Sequence, residues 1–298
     1  FKQKTAYESP LRLVGSEMGI RDSNYTDDNL DSYSTIWEGE ITQTNSSDHK
    51  RVVTALKNIS QGTDLEPYMD IDNLLRYMAV HVFSVNEDSL SGRMAHNYYL
   101  YEYNGQLNLF PWDYNLAFGG MGGSDATSVV NEAVDNAFDG TDFFDTLMEN
   151  EAYHEQYYAY LTQLVDEYIN GGGFDEFYNR VRSQIDALVE ADPTAFYSYE
   201  EYIEAVETLY EVIKLRGESI SGQTGGTIPS TSAAQSGSDE LIDASHIDLE
   251  VLGSMGIGGG FGGQAAQENQ AALTAPSGRE NAGLPELSEN SPDGFDAS

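Results

Sequence analysis

Between Asp70 and Gly120 the chain leaves little freedom about what it can fold into. Ile71, Leu74, Leu75, Met78, Val82 and Val85 recur at helical spacing, so one face of this segment must be buried. Asp70 stands where an N-cap is needed. The predicted helix ends at Asn86, in the run Asn86-Glu87-Asp88. After a loop to Asn97, two runs rich in Tyr, Leu and Phe flank Asn104-Gly105. That dipeptide supplies the positive φ values of a type I′ turn, so a β-hairpin is expected. Pro111 closes the second strand, and LAFGGMGG follows as a glycine-rich connection.

The flanking regions carry weaker signals. Residues 1–50 are polar, with strand-like pieces at 11–15 and 34–41 and turn formers between them. Val52, Val53, Leu56 and Ile59 predict a short helix over 50–59. Phe143, Phe144 and Leu147 predict another, followed by a longer one carrying Tyr153, Tyr157, Leu161, Leu164 and Tyr168 up to Gly171-Gly172-Gly173. Further helices are expected over 174–190 and 198–221. The fold class is therefore α+β, mainly helical with a small β-hairpin or sheet. From about residue 222 Gly, Ser, Thr, Ala and Pro dominate and Arg279 is the sole basic side chain. Residues 223–298 are expected to form an acidic, disordered tail, with DELIDASHIDLEVLG a transient helix or strand. MGIGGGFGG lacks the Lys-Ser/Thr ending of a phosphate-binding loop.

Charge narrows the partners. The 298 residues hold 14 Lys+Arg against 50 Asp+Glu, a formal net charge of -36. Such a surface repels nucleic-acid phosphates and anionic lipid, so neither is an expected partner. There is no cysteine, which excludes thiolate catalysis and Cys-ligated zinc. No apolar window is long enough to span a bilayer, and no signal peptide is visible at Phe1.

Two carboxylates, Asp88 and Asp113, lie on either side of the hairpin, with Asn97 between them in sequence. Phosphoryl transfer uses such a set: one carboxylate to orient a hydroxyl, one to hold a metal, an amide oxygen to assist. An isolated Asp at a helix end is commonly a solvated turn residue. Asp113 differs, because Pro111, Trp112 and Tyr114 around it predict burial, and a buried carboxylate needs a partner or a metal. Arg93 is the nearest cationic candidate and lies close to Asp88 in sequence. A glycosidase carboxylate pair is the competing chemistry; it would need neither nucleotide nor divalent metal. The five histidines show no metal-ligand spacing. His81 reads as a packed helix residue, and His96 merely adjoins Asn97.

The runs DIDNLLRYMAVHVFSVNEDS and MAHNYYLYEYNGQLNLFPWDYNLAFGG resemble the spore coat protein H (CotH) kinase family, whose members look like divergent protein kinases. Its Asn-x-Asp, His-Asn-Tyr-Tyr-Leu-Tyr and Pro-Trp-Asp motifs occur in order, as Asn86 to Asp88, His96 to Tyr101, and Pro111 to Asp113. Leu215 to Gly226 is similar to the family's closing Arg-x-x-Ser-Ile-x-x-Gln element. The resemblance covers roughly residues 1–225. It implies an atypical kinase fold over 1–222, mainly the helical large lobe. It implies Asp88 as the catalytic residue, and Asp113 and Asn97 as ligands of Mg²⁺ or Mn²⁺ with ATP as co-substrate. The implied partner is a coat, surface or secreted protein bearing Ser/Thr, and the implied location is the spore coat, cell surface or exterior. Family members carry more chain before the Asn-x-Asp motif, and Lys2 and Lys4 offer no convincing phosphate-contacting lysine. An N-terminally truncated fragment is thus expected, with activity belonging to a longer parent. The alternative is a non-catalytic adhesion or binding module on the same fold.

Overall fold

The computed structural model describes residues 13–16, 24–62, 64–90, 97–120, 125–135 and 141–253. Their elements run β1 (Leu13–Ser16), α1 (Ser34–Glu38), α2 (Ser46–Ser60), α3 (Ile71–Ser84), β2 (Tyr98–Tyr103), β3 (Gln106–Pro111), α4 (Ala126–Val130), α5 (Asp142–Met148), α6 (Glu151–Gln163), α7 (Gly173–Ala191), α8 (Tyr199–Thr224) and α9 (Ser232–Gln235). A π-helical stretch, Leu164–Asn170, prolongs α6, and a 3₁₀ turn spans Leu249–Leu252. The expected mainly helical α+β body is present.

The sheet is antiparallel, in the order β1-β2-β3. β2 pairs with β3 from Tyr98 opposite Pro111 to Tyr103 opposite Gln106. Asn104 and Gly105 both take positive φ at the turn, 53° and 91°, the geometry that only such residues adopt cheaply. Tyr98 and Leu100 on β2 and Leu107 and Leu109 on β3 are buried in one core with Leu74, Leu75, Met78 and Val82 of α3.

Polar groups fix how that core is assembled. Asp70 caps α3 by accepting from the Asn73 N–H. Asn73 then grips β3: its Oδ1 accepts from the Leu109 N–H at 2.8 Å and its Nδ2 donates to the Leu109 carbonyl at 3.2 Å. On α2, which begins at an Asn45–Asp48 capping box, Arg51 donates to both oxygens of buried Glu102 at 2.9 Å and to Asp48 at 2.8 Å. These contacts leave the C-terminal end of α3 and the far end of the hairpin facing the same place.

Two expectations are corrected. Residues 34–41 contain α1 rather than a strand, because Ile36 packs inward beside Tyr33, and the Trp37 indole N–H donates to the Leu30 carbonyl at 2.7 Å. Residues 223–253 form part of the body. Asn131 holds both backbone groups of Ile242, donating to its carbonyl at 2.8 Å and accepting from its N–H at 3.1 Å. The Ala244 N–H donates to Thr127 Oγ1 at 3.1 Å, and Ala244 is buried with Val85, Val129, Val130 and Val212. The boundary expected at 222 therefore moves to at least 253. The rest of the expected tail, 254–298, lies outside the described residues.

Candidate functional site

The site begins where α3 stops. Val85, its C-cap, takes a left-handed conformation (φ 48°, ψ 50°), unfavourable for a β-branched residue. The chain thereby turns sharply into Asn86, which is 3% exposed. The Asn86 side-chain oxygen accepts from the Asp88 N–H at 3.2 Å, and the Asn86 carbonyl accepts from Ser89 Oγ at 2.7 Å. The Tyr77 hydroxyl receives the Leu90 N–H at 3.3 Å. Asp88 is half-buried in a turn tied at both ends to α3.

Asn97 joins the two halves. It is buried, and its backbone is left-handed (φ 55°). Its Nδ2 donates to Asp88 Oδ2 at 2.7 Å, while its carbonyl accepts from the Trp112 N–H at 3.1 Å. One asparagine thus bonds the Asp88 carboxylate through its side chain and the residue before Asp113 through its backbone. With Nδ2 committed, the remaining side-chain polar atom of Asn97 is an oxygen.

Asp113 departs from expectation. Trp112 and Tyr114 are each half-buried, but Asp113 itself is exposed: the inward alternation of β3 already ends at Phe110 and Pro111, and Asp113 follows on a left-handed backbone with φ 57°. The segment after it is anchored on α3. The Tyr114 ring stacks on His81 at 5.3 Å between centroids and 2° between planes. The Phe118 N–H donates to the Ser84 carbonyl at 2.7 Å, and its ring meets Phe83 edge-on. Burial pushes the His81 imidazole down to about 3, so it is neutral, and pushes the Tyr114 hydroxyl up to about 12. Val85, Asn97, Asp113 and Phe118 make four of the six non-glycine residues with positive φ among the described residues. Backbone strain of this kind, of order 1–3 kcal/mol each, collects at functional sites.

Three buried nitrogens here lack a hydrogen-bond partner: His81 Nδ1, Asn86 Nδ2 and Trp112 Nε1. Buried polar atoms without a partner are uncommon enough to need a reason. All three flank the Asp88 and Asp113 turns.

The described residues contain no cluster of three or more His, Asp or Glu side chains able to hold a metal by themselves. The two residues that the resemblance implies as metal ligands, Asp113 and Asn97, offer a carboxylate and an amide oxygen. That chemistry fits Mg²⁺ or Mn²⁺, which take hard ligands and complete their shells with water and phosphate. Arg93 and His96 lie outside the described residues. Arg216, Ser219 and Gln223 belong to the segment that resembles the family's closing element, but sequence assigned them no role; all three are buried on α8. Besides that resemblance, the signal was an Arg and a Gln in register with Val212, Ile213 and Ile220 on one helical face.

The model of the CotH kinase protein family matches residues 17–220. The chain belongs to the CotH kinase family. At a coarse level that membership makes it a kinase-type protein. No curated protein matches the chain. No helix among the described residues is long and apolar enough to cross a membrane.

Proposed function

We propose that this CotH kinase protein transfers the γ-phosphoryl group of ATP to Ser/Thr hydroxyls of a coat, surface or secreted protein. The observation that carries the reading is the position of Asn97, bonded to Asp88 at 2.7 Å and to the Trp112 N–H at 3.1 Å. It couples the turn suited to the acceptor hydroxyl with the turn suited to metal and phosphate. The helical body around it is then the large lobe of a kinase-like fold.

Asp88 orients the acceptor hydroxyl and takes its proton. The new bond joins the hydroxyl oxygen to the γ-phosphorus, the β–γ bridging P–O bond breaks, and ADP departs. Asn97 holds the Asp88 carboxylate in place, and its Oδ1 is suited to a metal. Asp113, turned outward and unencumbered by a strong internal partner, supplies the carboxylate that would hold Mg²⁺ or Mn²⁺. The ion, when bound, neutralises phosphate charge. His81 and Tyr114, neutral and stacked, keep the Asp113 turn seated on α3.

The test is transfer of labelled γ-phosphate from ATP to protein serine or threonine by the complete protein, with and without divalent metal. Asp88→Ala and Asp113→Ala should each remove transfer; wild-type transfer by both would exclude the assignment. One observation favours a binding module instead: Phe196 (98% exposed), Leu188 (69%) and Tyr197 (59%) project from the α7–α8 hairpin. Absence of metal-dependent nucleotide binding, with Asp88, Asn97 and Asp113 intact, would support that reading.

A further inference from the structure

Helix α8 brings a cation into the body behind the end of α3. Arg216 has no exposed surface, and its guanidinium donates to four carbonyls on two separate segments. Nη2 reaches Val82 O at 2.7 Å and Nε reaches Phe83 O at 3.4 Å, both in the last turn of α3. Nη1 reaches the carbonyl of Val130, the last residue of α4, at 3.1 Å and Glu132 O just past it at 2.7 Å. Gln223 extends the seam, donating to Glu132 O at 3.1 Å and accepting the Val134 N–H at 3.0 Å.

Filling this seam does not by itself call for a charge. Burying a cation is costly, and apolar side chains of similar volume often serve stability as well. What a guanidinium adds is a planar fork of donors that fixes several carbonyls at once, which a lysine cannot reproduce. The α3 carbonyls it holds lie in the last turn of the helix, at the negative end of its dipole, where Val82 O also accepts the Val85 N–H at 3.4 Å. Immediately beyond them sits the strained left-handed turn at Val85, then Asn86, whose side chain accepts the Asp88 N–H.

We propose that Arg216 is a positioning residue for Asp88: by clamping the Val82 and Phe83 carbonyls it fixes the end of α3, and through the Val85–Asn86 turn it sets where the Asp88 carboxylate meets Asn97. Its consequence for turnover rests on the kinase reading, whereas its geometric consequence does not.

The experiment follows the Asn97 side-chain amide by NMR in the complete protein, with Asp88→Ala as the reference for a lost bond. ATP turnover and thermal midpoint are measured on the same samples. In folded Arg216→Lys the Asn97 amide signal should move toward the Asp88→Ala position. Turnover number should fall at least tenfold while the KM for ATP stays within twofold, and added guanidinium should restore both properties to Arg216→Ala. Val85→Gly gives an independent arm, since it relaxes the turn and leaves Arg216 in place; it should move the same signal even if neither Arg216 variant folds. An unmoved Asn97 signal in folded Arg216→Lys, or in Val85→Gly, would overturn the proposal. A shifted signal in a protein whose wild type transfers no phosphate would keep the positioning role and remove the kinase reading. Wild-type transfer with unmoved signals would do the reverse.

Discussion

The two carboxylates of the site are held in opposite ways. Asp88 is half-buried in a turn whose backbone and side chain are both tied down, by Asn86 and by Asn97. Asp113 is exposed on a left-handed backbone, and only its neighbours are anchored, Trp112 to Asn97 and Tyr114 to His81. A group that must align a hydroxyl gains from being over-determined, because misplacement costs rate. A group that must receive a hydrated cation gains from being pre-aimed but uncommitted, since an internal partner would compete with the ion. In the proposed function, the contrast divides the labour between the two sides of Asn97.

The largest expected effects break that division directly. Asp88→Asn and Asp113→Asn should each cost about 3–5 kcal/mol of transition-state stabilisation, measured as kcat/KM for phosphoryl transfer. Arg216→Ala, which strips four carbonyls of their common donor, should cost roughly 3–5 kcal/mol of folding stability by denaturant titration. Asp113→Ala should leave folding stability within about 0.5 kcal/mol, as for a surface residue.

A pH effect of intermediate size separates the anchor from the carboxylates. The His81 pKa is lowered from 6.5 to about 3 by burial, so the unfolded chain takes up the proton first. Its contribution to stability is complete above about 6.5 and is lost as pH falls from there toward 3, at about 1.4 kcal/mol per unit. Between pH 7 and 5 the wild type should therefore lose about 2 kcal/mol more than His81→Phe. A control remote from Asn97 completes the set. Gly105→Ala meets no steric clash but places a Cβ on a backbone at φ 91°, so it should cost roughly 1–2 kcal/mol of stability and leave transfer unchanged.

Legibility followed the range of the interactions. Asp70 as an N-cap, the helix behind it and the Asn104-Gly105 turn are written in adjacent residues, and the structure has them as expected. Residues 34–41 look strand-like through Thr35 and Ile36, but tertiary packing of Ile36 and Trp37 makes a helical turn. Residues 223–253 have no hydrophobic period, since their order comes from Asn131 and Thr127, more than a hundred positions away. Apolar neighbours predicted burial for Asp113, yet the alternation of β3 is lost at Phe110 and Pro111 and Asp113 is exposed on a left-handed backbone. The Asp88–Asn97 bond could be anticipated only as co-location, because spacing does not say which amide atom meets which oxygen.

The central claim is that Asp113 receives the metal while Asp88 serves the acceptor. Titrating Mn²⁺ with ATP into wild type, Asp88→Asn and Asp113→Asn, with phosphoryl transfer followed in parallel, tests it most directly. The account predicts that Asp113→Asn loses at least tenfold in metal-dependent nucleotide affinity. It also predicts that Asp88→Asn binds like wild type while its transfer falls by the same amount as above, about 3–5 kcal/mol. Unchanged binding by Asp113→Asn, or sustained transfer by Asp88→Asn, would contradict it.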